Sequence, residues 1–162
     1  MDGDVDGFAE LFHGQFTTMT RLAAALGADD PEDVAQEAFV RLHRSAPRLR
    51  DPHAAIGYLR ATVVNLTRSR VRHLGVVSRN PVHAADAAAS AEQVAVLRED
   101  TRVLVAALGR LSARHREALV LRYWLDLTEA EMAEAMGVSR GTVKSHVSRG
   151  LDALTALMEG SR

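Results

Sequence analysis

The chain contains no cysteine among its 162 residues, and aromatic residues make up only 4%. The absence of cysteine excludes disulfide bonds, thiolate zinc sites and cysteine nucleophiles. Few aromatics in a chain that is 47% hydrophobic predict cores of aliphatic and alanine side chains. No apolar run approaches the ~20 residues that cross a membrane, and the acidic start lacks a secretory signal pattern. We therefore expect a cytoplasmic protein with no membrane contact.

Sequence patterns typical of enzymes are also lacking. The seven histidines are scattered, no HExxH pair occurs, and no glycine-rich phosphate loop follows a strand pattern. We therefore predict that the protein is not an enzyme and has no catalytic residue, no metal and no cofactor.

The charges are unevenly distributed, although the net charge is only -1. The stretches 52–85 and 135–151 contain no Asp or Glu but several basic residues, whereas acids gather between 29 and 37. Two basic faces and one acidic face indicate two contacts with a polyanion and one with a cationic or polar protein surface.

The stretch 128–149 has the pattern of two short amphipathic helices joined by a three-residue turn. Thr128 and Glu131 form a capping box, Gly137 is placed to end the first helix, and Ser139 is placed to cap the second. This arrangement predicts a helix-turn-helix, whose second helix can enter a DNA major groove. An ordinary helical hairpin is the alternative reading.

Apolar residues at steps of four along the second helix predict its inward side: Val143, Val147 and Leu151, continued by Leu154 and Leu157. The opposite side is polar and cationic. Such a face is the kind that contacts phosphates and base edges.

The amino-terminal part predicts three helices. The first runs from about Phe8 to Leu26 and is stopped by Gly27, and the second is 31–44, capped by Asp29 or Asp30. The third begins after Asp51 and runs to about 73, and β-branched residues indicate a break near 65–67.

The following segment predicts a linker and a second helical unit. Short side chains and a proline characterise the linker, a helix follows over 94–108, and Ser112 is placed to cap a helix over 113–124. The predicted fold is all-α, with two small helical domains, 1–74 and 94–162, joined by a flexible linker, 75–93. The helix-turn-helix belongs to the second domain.

Three segments together resemble a bacterial RNA polymerase sigma factor: EDVAQEAFVRLHR, YLRATVVN and LRYWLDLTEAEMAEAMGVSRGTVKSHVSRGLDAL. The short length and the linker resemble the extracytoplasmic-function group, which keeps only regions 2 and 4. The resemblance implies that the first domain binds core polymerase and melts the downstream promoter element. It implies that the second domain recognises the upstream element.

The resemblance assigns residues to three surfaces, here by their numbers in this chain. The predicted helix 31–44 matches the surface that binds a coiled coil on the largest polymerase subunit: Asp33, Gln36, Glu37 and Phe39. The third helix matches the surface that captures a flipped base and holds the melted strand: Tyr58, Arg60, Asn65, Arg68, Arg70 and Arg72. The second helix of the helix-turn-helix, here called the reader helix, matches the helix that contacts the upstream element as duplex: Arg140, Thr142, Lys144, Ser145, Ser148 and Arg149.

The implied partners are core RNA polymerase, through its coiled coil and its flap, and promoter DNA, with an anti-sigma factor as a further candidate. One alternative is a sigma-like mimic that sequesters an anti-sigma factor without binding DNA, and the intact basic faces disfavour it. The other is a helix-turn-helix regulator that uses the carboxyl-terminal motif alone, which leaves the amino-terminal half unexplained.

Overall fold

The computed structural model describes residues 2–45, 50–77 and 99–161. Throughout those ranges the regular structure is helical and no strand occurs. The predicted all-α fold with two helical units is therefore confirmed.

The first two helices pack against each other in the amino-terminal half. Helix α1 spans Asp2–Ala25 and α2 spans Pro31–Arg44. Gly27 ends the α1 segment with φ of 97°, a left-handed conformation that glycine adopts without strain. Of the two predicted caps for α2, Asp30 is the one used, since its side chain accepts from the amide of Asp33 at 3.3 Å.

Helix α3 spans Pro52–Val77 and begins where a carboxylate of Asp51 accepts from the amide of His53 at 3.0 Å. The predicted break near 65–67 is wrong, because the helix continues through that segment. Val63 and Val64 are fully buried there, and tertiary burial outweighs the small helix-propensity cost of β-branched residues. The predicted linker lies outside the described residues except for 75–77, which continue α3.

The carboxyl-terminal half begins with α4, Glu99–Arg110, and α5, Ala113–Leu119. Residues 94–98 of the predicted helix lie outside the described ranges. Ser112 caps α5 as predicted, its hydroxyl accepting from the amide of His115 at 3.3 Å. A π-helical turn, Val120–Trp124, extends α5 to the predicted end of the helix, although its wider hydrogen-bonding pattern was not predicted.

Helices α6, Glu129–Met136, and α7, Arg140–Glu159, form the predicted helix-turn-helix. Thr128 and Glu131 make the reciprocal capping box, Gly137 ends α6 with φ of 67°, and Ser139 caps α7 by accepting from the amide of Thr142. The local signals in the sequence therefore specified both helix boundaries.

The inward stripe predicted for α7 is only partly correct. Val143 is fully buried, but Leu151 is 38% exposed. Gly150 takes the buried position beside it, because a β-carbon there would lie 3.2 Å from Cγ of Leu119 and 3.3 Å from the carbonyl oxygen of His115. Helix α5 approaches α7 closely at this glycine, and the next residue, Leu151, is left partly exposed.

One continuous apolar cluster runs through both halves. In the amino-terminal half it includes Phe39, Leu59 and Val63, and in the carboxyl-terminal half it includes Leu121 and Met132. Helix α3 also packs against α6, the first helix of the helix-turn-helix. The two helical units therefore form a joint core in this structure, which the sequence patterns did not predict.

Candidate nucleic-acid interface

The outer face of α7 presents the residues predicted to read duplex DNA. The structure brings five of the six onto exposed positions of this helix: Arg140, Lys144, Ser145, Ser148 and Arg149. Thr142 is half-buried, and its hydroxyl lies 2.9 Å from that of Ser139, so its described contact belongs to the helix cap.

The carboxyl-terminal core holds α7 in place. Val143 on the inner side of α7 is buried, and Met132 and Met136 of α6 are buried in the same cluster. Arg114 of α5 donates from Nη1 to the carbonyl oxygen of Met136 at 2.8 Å, at the end of α6. A cation that satisfies terminal carbonyls and opposes the helix dipole stabilises that end, so the turn before α7 is held by α5.

Lys144 has an anionic neighbour within the same motif. Its ammonium lies 3.8 Å from a carboxylate oxygen of Glu129, and both side chains are substantially exposed. Exposed ion pairs contribute little to stability, so this pair does not fix the position of the Lys144 ammonium. Lys144 therefore remains available to a phosphate or a base edge.

His146 lies on the inner flank of α7, where its ring centroid is 5.9 Å from that of His115. Desolvation lowers the pKa of His146, and the nearby His115 and Arg114 lower it further. The imidazole is therefore neutral near pH 7 and does not add to the positive charge of the reader face.

The residues predicted to hold the melted strand lie along α3, but they differ in their surroundings. Asn65 and Arg72 are exposed, and Tyr58 packs half-buried against the core. Arg70 donates from Nη1 to Asp33 of α2 at 2.7 Å. Arg60 is half-buried and lies beside a polar cleft between α3 and α6.

Arg68 is bound by a carboxylate from the other half of the chain. Its Nε and Nη2 donate to the two oxygens of Glu117 at 2.7 and 2.8 Å, and its Nη1 donates to Oδ1 of Asn65 at 3.2 Å. The sequence pattern predicted phosphate contacts for the arginines of this segment, and it could not reveal acidic partners that are distant along the chain.

The surface predicted to bind polymerase is acidic in the structure as well. Asp33 and Gln36 are exposed, and Glu37 is half-buried and accepts from Nε of Arg41 at 3.0 Å. The assignment of Phe39 to this exposed surface needs correction, because its side chain is only 2% exposed. Its ring packs edge-on against Phe12, with centroids 5.0 Å apart, so Phe39 supports this surface from within the core.

Sequence reasoning missed Arg116 and Glu117, which join the two halves. Arg116 is buried and donates to four carbonyl oxygens, those of Leu26, Leu108, Gly109 and Leu111. Desolvation lowers the pKa of Arg116, and the adjacent Glu117 opposes that shift. No sequence signal set them apart, because Arg116 and Glu117 follow Arg114 and His115 in a run of four polar residues.

Sequence reasoning also missed an apolar groove of about 600 Å³, which is lined mainly by the carboxyl-terminal half and also by Ala25 of α1. Leu104 and Leu108 of α4 line it together with Leu151 of α7. Tyr123 and Trp124 lie at the same groove and are 62% and 47% exposed. Large exposed rings beside an aliphatic groove are typical of a surface that binds another protein.

Among the described residues, no group of His, Asp and Glu side chains could hold a metal ion. In the same part of the chain, no helix combines the length and apolar character needed to cross a membrane.

The fold and the cationic reader helix define a two-part helical protein with a helix-turn-helix. A family model described as Sigma-70 region 2 matches residues 18–75, and one described as Sigma-70, region 4 matches residues 101–154. In fold, the chain is similar to CnrH in complex with the cytosolic domain of CnrY, with a TM-score of 0.62 and 21% identity over 96% of this chain and 89% of that chain.

Two relatives show similarity over nearly the whole sequence. The RNA polymerase sigma-E factor of Streptomyces avermitilis is 33% identical over 162 residues, covering 97% of this chain and 88% of the relative. The ECF RNA polymerase sigma factor SigM of Mycobacterium tuberculosis is 30% identical over 159 residues, covering 96% of this chain and 79% of the relative.

The chain belongs to the sigma-70 family of RNA polymerase sigma factors, in its extracytoplasmic-function group. It is an alternative sigma factor that directs transcription initiation, and this role entails binding to core RNA polymerase and to promoter DNA. Members of this family are initiation factors and are not themselves enzymes.

Proposed function

We propose that this sigma factor recognises two promoter elements in different physical states. The carboxyl-terminal half, 94–162, binds the upstream element as duplex, and the amino-terminal half, 1–74, captures the melted downstream element. The observation that carries this proposal is that basic side chains lie along one helix of each half, on α7 and on α3. Polymerase supplies the catalysis, in the cytoplasm, and this chain supplies the promoter specificity.

Upstream recognition is assigned to the exposed face of α7. Lys144 and Ser145 are at its centre and are proposed to contact base edges, with Arg140, Ser148 and Arg149 contacting base edges or phosphates around them. Thr142 is also assigned to this interface, at its start. Its amide and its hydroxyl both contact the hydroxyl of Ser139, the residue that caps α7.

Downstream recognition is assigned to the side of α3 that carries Asn65. Extruding a base from its stack costs a few kcal/mol, so its pocket must offer hydrogen bonds in return. Asn65 is exposed and supplies a donor and an acceptor together. Tyr58 is assigned to the flank of the pocket. Four arginines of α3 are assigned to the phosphates of the single strand: Arg60, Arg68, Arg70 and Arg72.

Two contacts with core polymerase are proposed. Asp33, Gln36 and Glu37 form an acidic and polar surface on α2 that we assign to the coiled coil of the largest subunit. We assign the flap to the groove beside Tyr123 and Trp124, because exposed aromatic rings over an aliphatic groove fit the apolar face of a partner helix.

An anti-sigma factor is proposed as a regulatory partner. The structurally similar CnrH is seen in complex with the cytosolic domain of CnrY. A segment of such a partner would compete with polymerase for the same exposed surfaces of this chain.

The proposed function is tested by in vitro transcription with purified core polymerase, with and without this protein, on a library of genomic fragments from the host. We expect transcripts that start at discrete sites and share two elements at a constant spacing upstream. Absence of core binding and of specific starts, with capture of a purified anti-sigma domain retained, would instead identify the sequestering mimic.

A further inference from the structure

Each nitrogen of the Arg68 guanidinium donates a hydrogen bond within the protein. Nε and Nη2 donate to the two carboxylate oxygens of Glu117 at 2.7 and 2.8 Å, and Nη1 donates to Asn65 at 3.2 Å. All three guanidinium nitrogens are therefore hydrogen-bonded, and the pair with Glu117 has the two-pronged geometry that arginine also forms with phosphate.

This ion pair is shielded from solvent. The side chain of Glu117 is 4% exposed and that of Arg68 is 14% exposed. A phosphate group cannot form the same two-pronged contact with Nε and Nη2 while the carboxylate of Glu117 occupies it. Asn65 belongs to the same network, because its side-chain oxygen accepts from this guanidinium.

The residue before Glu117 attaches the same helix to a second point of the amino-terminal half. Nη1 of Arg116 donates to the carbonyl oxygen of Leu26 at 3.1 Å, at the end of the α1 segment. The remaining bonds of Arg116 go to carbonyls at the end of α4 and before α5. Helix α5 is thereby connected to both α1 and α3, by two consecutive residues.

A third contact between the two halves lies where α6 packs against α3. A β-carbon at Gly57 would lie 3.2 Å from a carboxylate oxygen of Glu134, so the glycine permits the helix-turn-helix to pack closely on α3. The interface between the halves therefore involves α5 and α6, and within it Glu117 binds Arg68, a residue assigned to DNA.

We propose that Glu117 is an intramolecular mimic of a DNA phosphate that occupies Arg68 in the free protein. The melted strand and Glu117 then compete for one guanidinium, and the strand gains access when α5 moves away from α3. This inference rests on the proposed function, because it assumes that Arg68 binds the downstream strand. It predicts that the isolated factor binds single-stranded DNA more weakly than it would if Arg68 were released from Glu117.

The test uses the full chain with Glu117→Gln, which keeps the size of the side chain and removes its charge. Asp152→Asn is the matched control, since it removes one negative charge from an exposed position on α7. Binding is measured by the anisotropy of a short fluorescein-labelled single-stranded oligonucleotide at fixed salt. Each protein is also checked by circular dichroism for native helix content and cooperative melting.

A second readout is the distance between the halves. Because the chain has no cysteine, the exposed substitutions Arg21→Cys and Thr155→Cys allow two dyes to be placed specifically, one on α1 and one on α7. Energy transfer between them is compared with Glu117 present and with Glu117→Gln, with and without the oligonucleotide.

We expect Glu117→Gln to bind the oligonucleotide about fivefold or more tightly than Asp152→Asn, the lower end of typical coupling between linked sites. Energy transfer should fall in the same variant. Equal affinity of the two variants, with or without a change in energy transfer, would overturn the competition between Glu117 and DNA.

In vitro transcription separates this inference from the function on which it rests. Wild-type protein and both variants are each assayed with core polymerase on the same promoter library. Specific starts in all three, together with equal affinities in the anisotropy assay, would refute the role of Glu117 and leave the sigma-factor mechanism intact. No specific starts from wild-type protein would refute the proposed mechanism itself.

Discussion

A β-carbon at Gly27 would lie 2.6 Å from Nη1 of Arg116, so the lack of a side chain at Gly27 makes room for a guanidinium from the other half of the chain. The same glycine has φ of 97°, which side-chain-bearing residues rarely adopt. Gly27 therefore serves two purposes, since it ends the α1 segment and admits the cation that joins the two halves.

Gly27→Ala is predicted to destabilise the protein by about 1–3 kcal/mol, because it combines backbone strain with a collision at Arg116. Gly14→Ala is the matched control in α1, where a β-carbon would meet nothing within 4 Å. That control should stabilise the helix by about 0.5–1 kcal/mol. Thermal melts followed by circular dichroism measure both effects. Similar melting temperatures for the two variants would contradict the role of Gly27.

Lys144→Ala is predicted to weaken binding of the holoenzyme to the upstream duplex by about 1–3 kcal/mol and to reduce its sequence preference, if the ammonium contacts a base edge. Gel-shift titrations on matched and scrambled upstream elements measure both properties. Thr155→Ala, three turns further along the same helix, should leave binding unchanged. A uniform loss on both sequences would show that Lys144 contacts phosphate alone.

Asn65→Ala is predicted to slow promoter opening while binding of the upstream duplex stays normal, because the captured base loses its hydrogen-bonding partner. Permanganate footprinting of the melted strand over time measures opening. Ser69→Ala, at an exposed position one turn further along α3, is the control. Opening at the wild-type rate would remove Asn65 from the proposed pocket.

Glu37→Lys is predicted to reduce association with core polymerase at least tenfold, because it reverses a charge on the proposed contact surface. The variant also replaces the ion pair with Arg41 by a repulsion, so its fold is checked by melting. Glu10→Lys, at an exposed position of α1, makes the same charge change elsewhere on this half. Equal affinities of the two variants for core polymerase would count against this surface.

The capping box at the start of α6 gives a prediction about pH. The amide of Thr128 donates to Glu131 at 2.8 Å, and this bond lowers the pKa of Glu131 below its ordinary value of 4.5. A lowered pKa means that the ionised carboxylate stabilises the fold above pH 4.5, and that this stabilisation is lost as the pH falls through the lowered pKa. Glu131→Gln lacks this titration.

Wild-type protein should therefore melt at a higher temperature than Glu131→Gln near pH 7, by about 1–2 °C given the size of a helix-capping effect. The difference should shrink in strongly acidic buffer. Melts of the two proteins across a pH series measure it, and a difference that does not depend on pH would refute the assignment to the carboxylate of Glu131.

Local signals in the sequence predicted most of the secondary structure correctly. Asp30, Ser112, Thr128 and Ser139 are all helix caps in the structure, because capping depends on contacts within one turn of the chain. The break expected near Asn65 was wrong for the complementary reason, since burial of α3 against other helices decided its continuity.

Apolar periodicity gave a less complete account of the buried residues. It placed Val143 inside correctly, but it could not show that α5 approaches α7 at Gly150 or that Leu151 is partly exposed. The family resemblance, and not the periodicity, assigned Phe39 to a polymerase-binding surface, and the structure buries its side chain in an aromatic cluster. Neighbours from distant segments set both outcomes.

The sequence by itself determined the helices, their caps, the helix-turn-helix and the resemblance to sigma factors, because these depend on residues close together along the chain. Only the tertiary structure decided that the two halves share a core and that Arg68 is bound to Glu117, 49 positions away. The physical reason is that a buried ion pair depends on which surfaces meet and exclude water, and no local spacing encodes that meeting.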